Sequence, residues 1–167
     1  HWAITFPEIV GNRGFDAFIG NPPFMGGRKI STNIGSDYLD YLLVTQDRMN
    51  GIADLVCHFV RRCFLLVSDR GVLGLISTNS IAEVDSRRSS LEPIKQDGGM
   101  IYRAQHSTSW PGQAAVVISI VHIAKEWEGE CMLDGQPVQE ISSSLVSLEQ
   151  TEQSPTTLLT NSHLGHS

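Results

Sequence analysis

Phe15-Asp16-Ala17-Phe18-Ile19-Gly20-Asn21-Pro22-Pro23-Phe24 is the stretch whose reading decides the fold. From Phe15 to Ile19 only Asp16 is polar, and the run stops at Gly20. A strand that is apolar throughout, rather than alternating, belongs in a parallel sheet covered by helices on both faces. Pro22 and Pro23 cannot extend the ladder, so the strand must end in a turn that begins at Asn21.

Working outward, the next elements support an α/β sheet. Asp54 is a good N-cap for a helix over Leu55–Val67, where Val56, Phe59, Val60, Cys63, Phe64 and Val67 recur at helical spacing. Ser68-Asp69-Arg70-Gly71 reads as its close, with Gly71 as a left-handed cap, and Val72–Ile76 as the next strand. Strand, helix, strand in this order implies a right-handed crossover and parallel pairing. Residues 25–52 read as a mobile loop with a short helix near Asp37–Leu43. A further helix is expected over Ser86–Lys95, then strands over Met100–Gln105 and Ala115–Ile123 joined only by a loop. Two consecutive strands without a helix suggest an antiparallel hairpin at a sheet edge. Asp134-Gly135 is a tight-turn dipeptide between Glu130–Leu133 and Gln136–Ile141, a second small hairpin. Residues 142–167 are rich in Ser and Thr and are expected to pack poorly and form a poorly ordered tail.

At 167 residues, 41% hydrophobic and 18% charged, the chain has the makings of one globular domain with a real core. The longest apolar run, Ala114–Ile123, falls well short of the roughly 20 residues of a membrane helix. The N-terminus shows no basic, cleavable leader, which leads to the expectation of a cytoplasmic protein. A net charge of −6 argues against a self-sufficient nucleic-acid binder, which would show a basic face. Cys57, Cys63 and Cys131 form no CxxC pair and have no His at ligand spacing, so they read as buried small side chains, and no metal site is expected.

The Asn21 turn carries the chemistry. Its Asn21 side-chain oxygen and Pro22 carbonyl can accept the two N–H groups of an exocyclic amine. The nitrogen then pyramidalises and its lone pair localises. Pro22 and Pro23 stiffen the turn, so the acceptors are in place beforehand. Phe24 offers a plane on which a flipped base can stack. Read without this chemistry, the tetrapeptide is a proline turn of the ordinary kind. His58 and Arg61-Arg62 read as a solvated helix face, and His122 as a half-buried strand residue. Arg28 and Lys29, just after the turn, stand where they can reach a phosphate, as do Arg87 and Arg88.

The decamer Phe15–Phe24 resembles motif IV of the gamma-type N6-adenine DNA methyltransferases. His1-Trp2 and Phe6-Pro7-Glu8-Ile9 resemble the stretch before that motif in fused type IIG restriction–modification enzymes. Ala53-Asp54-Leu55 resembles motif V, and Val72–Asn79, ending in Ser77-Thr78-Asn79-Ser80, resembles motif VI. Trp110-Pro111-Gly112-Gln113-Ala114-Ala115-Val116-Val117 resembles motif VIII. The resemblance implies a partial Rossmann-like class I methyltransferase sheet over residues 1–125, with Asn21, Pro22, Pro23 and Phe24 catalytic. It implies Trp110 as a second aromatic surface against the adenine, Asp54 near the pocket, S-adenosylmethionine as methyl donor and double-stranded DNA as partner. Residues 126–141 would then be a small hairpin and 142–167 a tail leading toward a target-recognition domain, with Leu159-Thr160-Asn161 and Gly165 faintly similar to that lead-in.

One part of the pattern is missing. The family's cofactor site needs a glycine-rich turn between a strand and a helix. Gly11-Asn12-Arg13-Gly14 precedes a strand, and Gly98-Gly99 comes after the catalytic turn. The expectation is a chain cut at both ends, with Asn21 touching only the edge of the donor site. In isolation it would be inactive, and its uncovered sheet would favour aggregation. Two other readings stay open: methylation of another amino acceptor, an RNA base or a protein glutamine, and a non-catalytic remnant of a restriction–modification gene.

Overall fold

The computed structural model describes residues 2–111 and 116–148. Two short helices, α1 (Trp2–Thr5) and α2 (Pro7–Val10), lead into β1 (Phe15–Gly20). After the proline turn come α3 (Gly27–Asn33), α4 (Ser36–Thr45) and α5 (Leu55–Leu66), then the long β2 (Val67–Thr78). A 3-10 turn over Asn79–Ala82 leads to α6 (Val84–Ser89) and α7 (Leu91–Gln96), followed by β3 (Met100–Ser109), β4 (Val117–Ala124), β5 (Cys131–Leu133) and β6 (Gln136–Val138).

The six strands form one sheet in the order β1-β2-β4-β3-β5-β6. β1 and β2 are parallel, with Gly20 beside Leu75, as the strand–helix–strand reading requires. β4 runs antiparallel to both β2 and β3. The β3–β4 hairpin therefore joins β2 directly, and the β5–β6 hairpin extends the sheet to its far edge. The β5–β6 turn is Asp134-Gly135, with φ of 50° and 80°. Two positive φ values define the type I′ turn that the dipeptide foretells.

The core lies on one face of the sheet. Val56, Val60, Cys63 and Phe64 of α5 and Leu91 and Ile94 at α7 pack against Leu73, Leu75, Ile101, Val121 and Ile123. In β2 the burial alternates residue by residue from Gly71 to Thr78, so only one face is fully covered. The expectation of helices on both faces of β1 is corrected in the same way. β1 is the sheet's other edge among the described residues, and Ile19 is 89% exposed.

Several local readings change. The short helix expected near Asp37–Leu43 is present as α4, but the stretch before it is the packed helix α3 rather than a mobile loop. Gly27 starts α3 so close to the chain at Ile52-Ala53 that a Cβ would sit 2.4 Å from the Ile52 carbonyl carbon. Gly71 is not a helix cap. It lies inside β2, where a Cβ would meet Val67 Cγ2 at 2.5 Å and the Phe15 carbonyl at 2.7 Å. The single helix expected over 86–95 is split into α6 and α7. Pro93 has no N–H for the Ser89 carbonyl, and its ring crowds that group. The Ser90 hydroxyl donates instead to the Ser86 carbonyl at 2.7 Å. Within the expected tail, residues 142–148 are packed: Leu145 is 1% exposed and Ile141 bridges Ser147. Lys95 secures this segment, donating to the Ile141 carbonyl at 2.7 Å and pairing with Glu140. The remainder, 149–167, lies outside the described residues.

Candidate active site

Because β1 and β2 are parallel and β4 is antiparallel to both β2 and β3, the C-terminal ends of β1, β2 and β3 share one end of the sheet. Asn21 follows β1, Asn79 follows β2 and Trp110 follows β3. In open α/β sheets ligands bind at this end of the parallel strands. β2 and β4 stand between β1 and β3. Three inter-strand steps of about 4.8 Å separate the Asn21 and Trp110 strands by about 14 Å.

The turn itself is anchored from below. Pro22 is buried, whereas Asn21 and Pro23 are exposed and Phe24 is 36% exposed. Among the described residues the Asn21 carboxamide has no hydrogen-bond partner, and neither Phe24 nor Trp110 makes a ring contact. Asn21 is exposed to solvent, Phe24 partly so, and Trp110 is half-buried. Asp54 caps α5, as the sequence suggests, and also holds the turn. Its Oδ1 accepts from Val56 N at 3.0 Å, capping α5, and from Met25 N at 3.1 Å, holding the residue after Phe24. Leu55 N donates back to the Met25 carbonyl at 2.8 Å. Asp54 is 8% exposed, so it acts by holding the turn rather than by facing solvent.

Arg28 and Lys29 project from the first turn of α3, exposed and without an ion pair among the described residues. Trp110 is half-buried, and its backbone N–H donates to the Val116 carbonyl at 2.9 Å, closing the mouth of the β3–β4 hairpin. Residues 112–115 of the motif VIII stretch lie outside the described residues.

Two side chains read as solvated are buried. His58 and Arg61 are each 2% exposed, because α4 and the residues after it cover that face of α5. His58 Nδ1 lies 3.1 Å from Gln46 Oε1, and Gln46 Nε2 donates to the His58 carbonyl at 3.1 Å. Burial drives the His58 pKa down from 6.5 to about 4, with Asp54 opposing the shift, so the imidazole is neutral. Arg61 reaches Asp47 at 2.9 Å and Asp97 at 3.6 Å. Near His58 a cleft of about 630 Å³ is lined by Trp2, Tyr38, Tyr41 and Phe59. It lies on the helix side of the fold and includes none of the turn residues Asn21–Phe24. All three cysteines are buried, and burial raises the thiols of Cys57 and Cys63 to about 11 and about 12. Among the described residues no group of three His, Cys, Asp or Glu side chains is placed to hold a metal ion. No helix among them is long and apolar enough to cross a membrane.

Sequence reasoning missed one group at this end of the sheet. Asn79 Oδ1 accepts from Ser107 at 3.0 Å and from Ser119 at 2.9 Å. The only forewarning was Ser77-Thr78-Asn79-Ser80 ending a strand.

Residues 1–96 match the family described as Eco57I restriction-modification methylase. The chain belongs to that family. The matched region contains the Asn21 turn, Asp54 and Asn79. Among solved structures, the chain is similar to the type IIL restriction-modification enzyme MmeI, determined in complex with DNA, at 20% identity and a TM-score of 0.65. The likeness covers 78% of this chain and 19% of that enzyme, so the chain spans about a fifth of its length. It establishes the fold as a methyltransferase-like α/β sheet. No curated protein matches the sequence.

Proposed function

We propose that this chain forms the base-holding part of a DNA adenine-N6 methyltransferase site in a restriction–modification enzyme. The observation that carries the reading is the Asn21 turn. A free carboxamide stands at the C-terminal end of a parallel strand, its Pro22 neighbour buried and its frame pinned by Asp54. Asn21 Oδ1 and the Pro22 carbonyl accept the two N–H groups of the extruded base. Phe24 and Trp110 take its two faces, and Pro23 keeps the backbone from yielding. Held this way, the amino nitrogen presents a localised lone pair in a direction that the turn sets beforehand. Arg28 and Lys29 are placed for the DNA backbone.

S-adenosylmethionine is the donor the family resemblance implies. The described residues do not fit it. The glycine pair that follows a strand and opens a helix is Gly26-Gly27, and the space beside Gly27 is filled by Ile52 and Ala53. In this reading Asn21 borders the donor site, and the chain's own residues hold the base. In the same reading residues 1–125 form the second part of a catalytic domain and residues 142–167 lead toward target recognition.

The test is labelled-methyl transfer by a protein of the relative's length that carries this chain, offered DNA, RNA and protein acceptors. Adenine-N6 product on DNA is expected, and Asn21→Ala should lower turnover by about 100-fold or more while DNA affinity is kept. Undiminished turnover in Asn21→Ala, or label appearing on RNA or glutamine instead, defeats the reading.

A further inference from the structure

β3 does not run straight to Trp110. Gln105 pairs with Ile120 and Thr108 with Ile118, so His106 and Ser107 together oppose Ser119 alone. This two-against-one arrangement is a β-bulge, which bends a strand and re-aims the side chains beyond it. Ser107 has a φ of 55°, a conformation that costs a non-glycine residue on the order of 1 kcal/mol and persists only where its surroundings hold it.

Both bulge residues are held. The His106 N–H donates to Asp134 Oδ1 at 2.7 Å. Asp134 is itself fixed to the same strand, its own N–H donating to the Ala104 carbonyl at 2.9 Å. The Ser107 hydroxyl donates to Asn79 Oδ1 at 3.0 Å, and the hydroxyl of Ser119, the residue opposite the bulge, donates to the same oxygen at 2.9 Å. Asn79 opens the 3-10 turn directly after β2, and Ser119 is also the register partner of Ser77 in β2. One carboxamide oxygen thus ties the end of β2 to both strands of the hairpin that carries Trp110.

We propose that this clamped bulge is what places Trp110 on the site side of the sheet, with Asn79 and Asp134 as positioning residues. The reason lies in strand geometry. Side chains alternate faces, so a one-residue change of register sends every later side chain to the other face. With the extra residue taken up at His106-Ser107, Trp110 keeps one face; were the bulge to relax, Thr108 through Trp110 would slip by one and Trp110 would turn away. The proposal rests on the Trp110 role given above, but its structural half can be measured separately.

The chain has three tryptophans, Trp2, Trp110 and Trp127, which can be labelled as 5-fluorotryptophan and assigned by single Trp→Phe variants in fluorine NMR. Asn79→Ala should shift or split the Trp110 resonance while leaving Trp2 and Trp127 in place. Asn79→Asp keeps an oxygen for both hydroxyls and should restore the original position. Ser107→Ala, which removes one donor only, should also move Trp110 and serves if Asn79→Ala does not fold. An unmoved Trp110 signal in both Asn79→Ala and Ser107→Ala overturns the proposal, as does Asn79→Asp behaving like Asn79→Ala. In the longer enzyme, Asn79→Ala should lower kcat for methyl transfer by about tenfold or more with the donor KM unchanged. If Trp110 moves yet kcat stays, the clamp stands and the base-stacking role of Trp110 falls.

Discussion

Lowering the pH from 7 to 5 should weaken this fold by about 2 kcal/mol through His58 alone. The residue is 2% exposed, and its pKa falls from 6.5 in an unfolded chain to about 4 in the folded one. Between those two values the unfolded chain takes up a proton that the folded chain refuses. The folded state therefore binds fewer protons, and stability rises with pH across that window. The contribution is fully present above pH 6.5 and is lost as pH falls toward 4. At 1.36 kcal/mol per pKa unit the whole shift is worth about 3 kcal/mol, of which about 2 is gone by pH 5. With a urea slope of about 2 kcal/mol per M, the midpoint should drop by about 1 M between pH 7 and pH 5. His122, whose pKa burial also lowers, acts in the same direction, so the comparison must be with a variant. His58→Asn places an amide nitrogen near the position of Nδ1, able to donate to Gln46 Oε1, and cannot titrate. Its urea midpoint should fall by about 1 M less than wild type over the same pH range. Parallel falls in the two proteins would refute the assignment of a neutral, buried His58.

Other substitutions separate the remaining contacts. Gly71→Ala should cost about 2–3 kcal/mol in urea denaturation, because its methyl meets the Phe15 carbonyl and Val67 rather than a flexible side-chain end; a neutral result would mean that β1 and β2 do not cross this closely. Asp54→Ala removes the acceptor for both Val56 N and Met25 N and should lower stability by about 1–2 kcal/mol and speed hydrogen exchange at Met25, with Asp54→Asn recovering most of both. Asp47→Ala with Asp97→Ala leaves the buried Arg61 guanidinium without either carboxylate, and Arg48 without its two carboxylate partners, and should cost more than Arg61→Met, which removes the buried charge as well. The opposite order in thermal melts would show that Arg61 matters for packing rather than as a charge.

Where the sequence foretold structure well, the signal was local. The Leu55–Leu66 helix with its Asp54 cap, the strand that ends at Gly20 and the Asp134-Gly135 turn are each determined by residues within a few positions of one another. Misreadings arose where distant residues decide. Ser68-Asp69-Arg70-Gly71 has the composition of a turn and has no register partner in β1; it stands between the Phe15–Val67 and Ala17–Val72 pairs, and those two flanking pairs make it an irregularity inside β2 rather than the end of an element. His58 and Arg61 look like a polar helix face until Gln46 and Asp47, from the end of α4 and just beyond, close over them.

The same division runs through the site. The Asn21-Pro22-Pro23-Phe24 turn was legible because its chemistry is covalent and contiguous: two prolines stiffen the backbone, and the amide and the aromatic ring are built into the chain. Its acceptor atoms and the stop of the strand need no partner from elsewhere. What shares that end of the sheet does not lie next to it in sequence. Trp110 comes to the same end as Asn21 only because β4 reverses direction between β2 and β3, and its hairpin is tied to the end of β2 where Ser107 and Ser119 share the oxygen of Asn79. Register across a sheet is a property of pairs of strands, and no single strand encodes it.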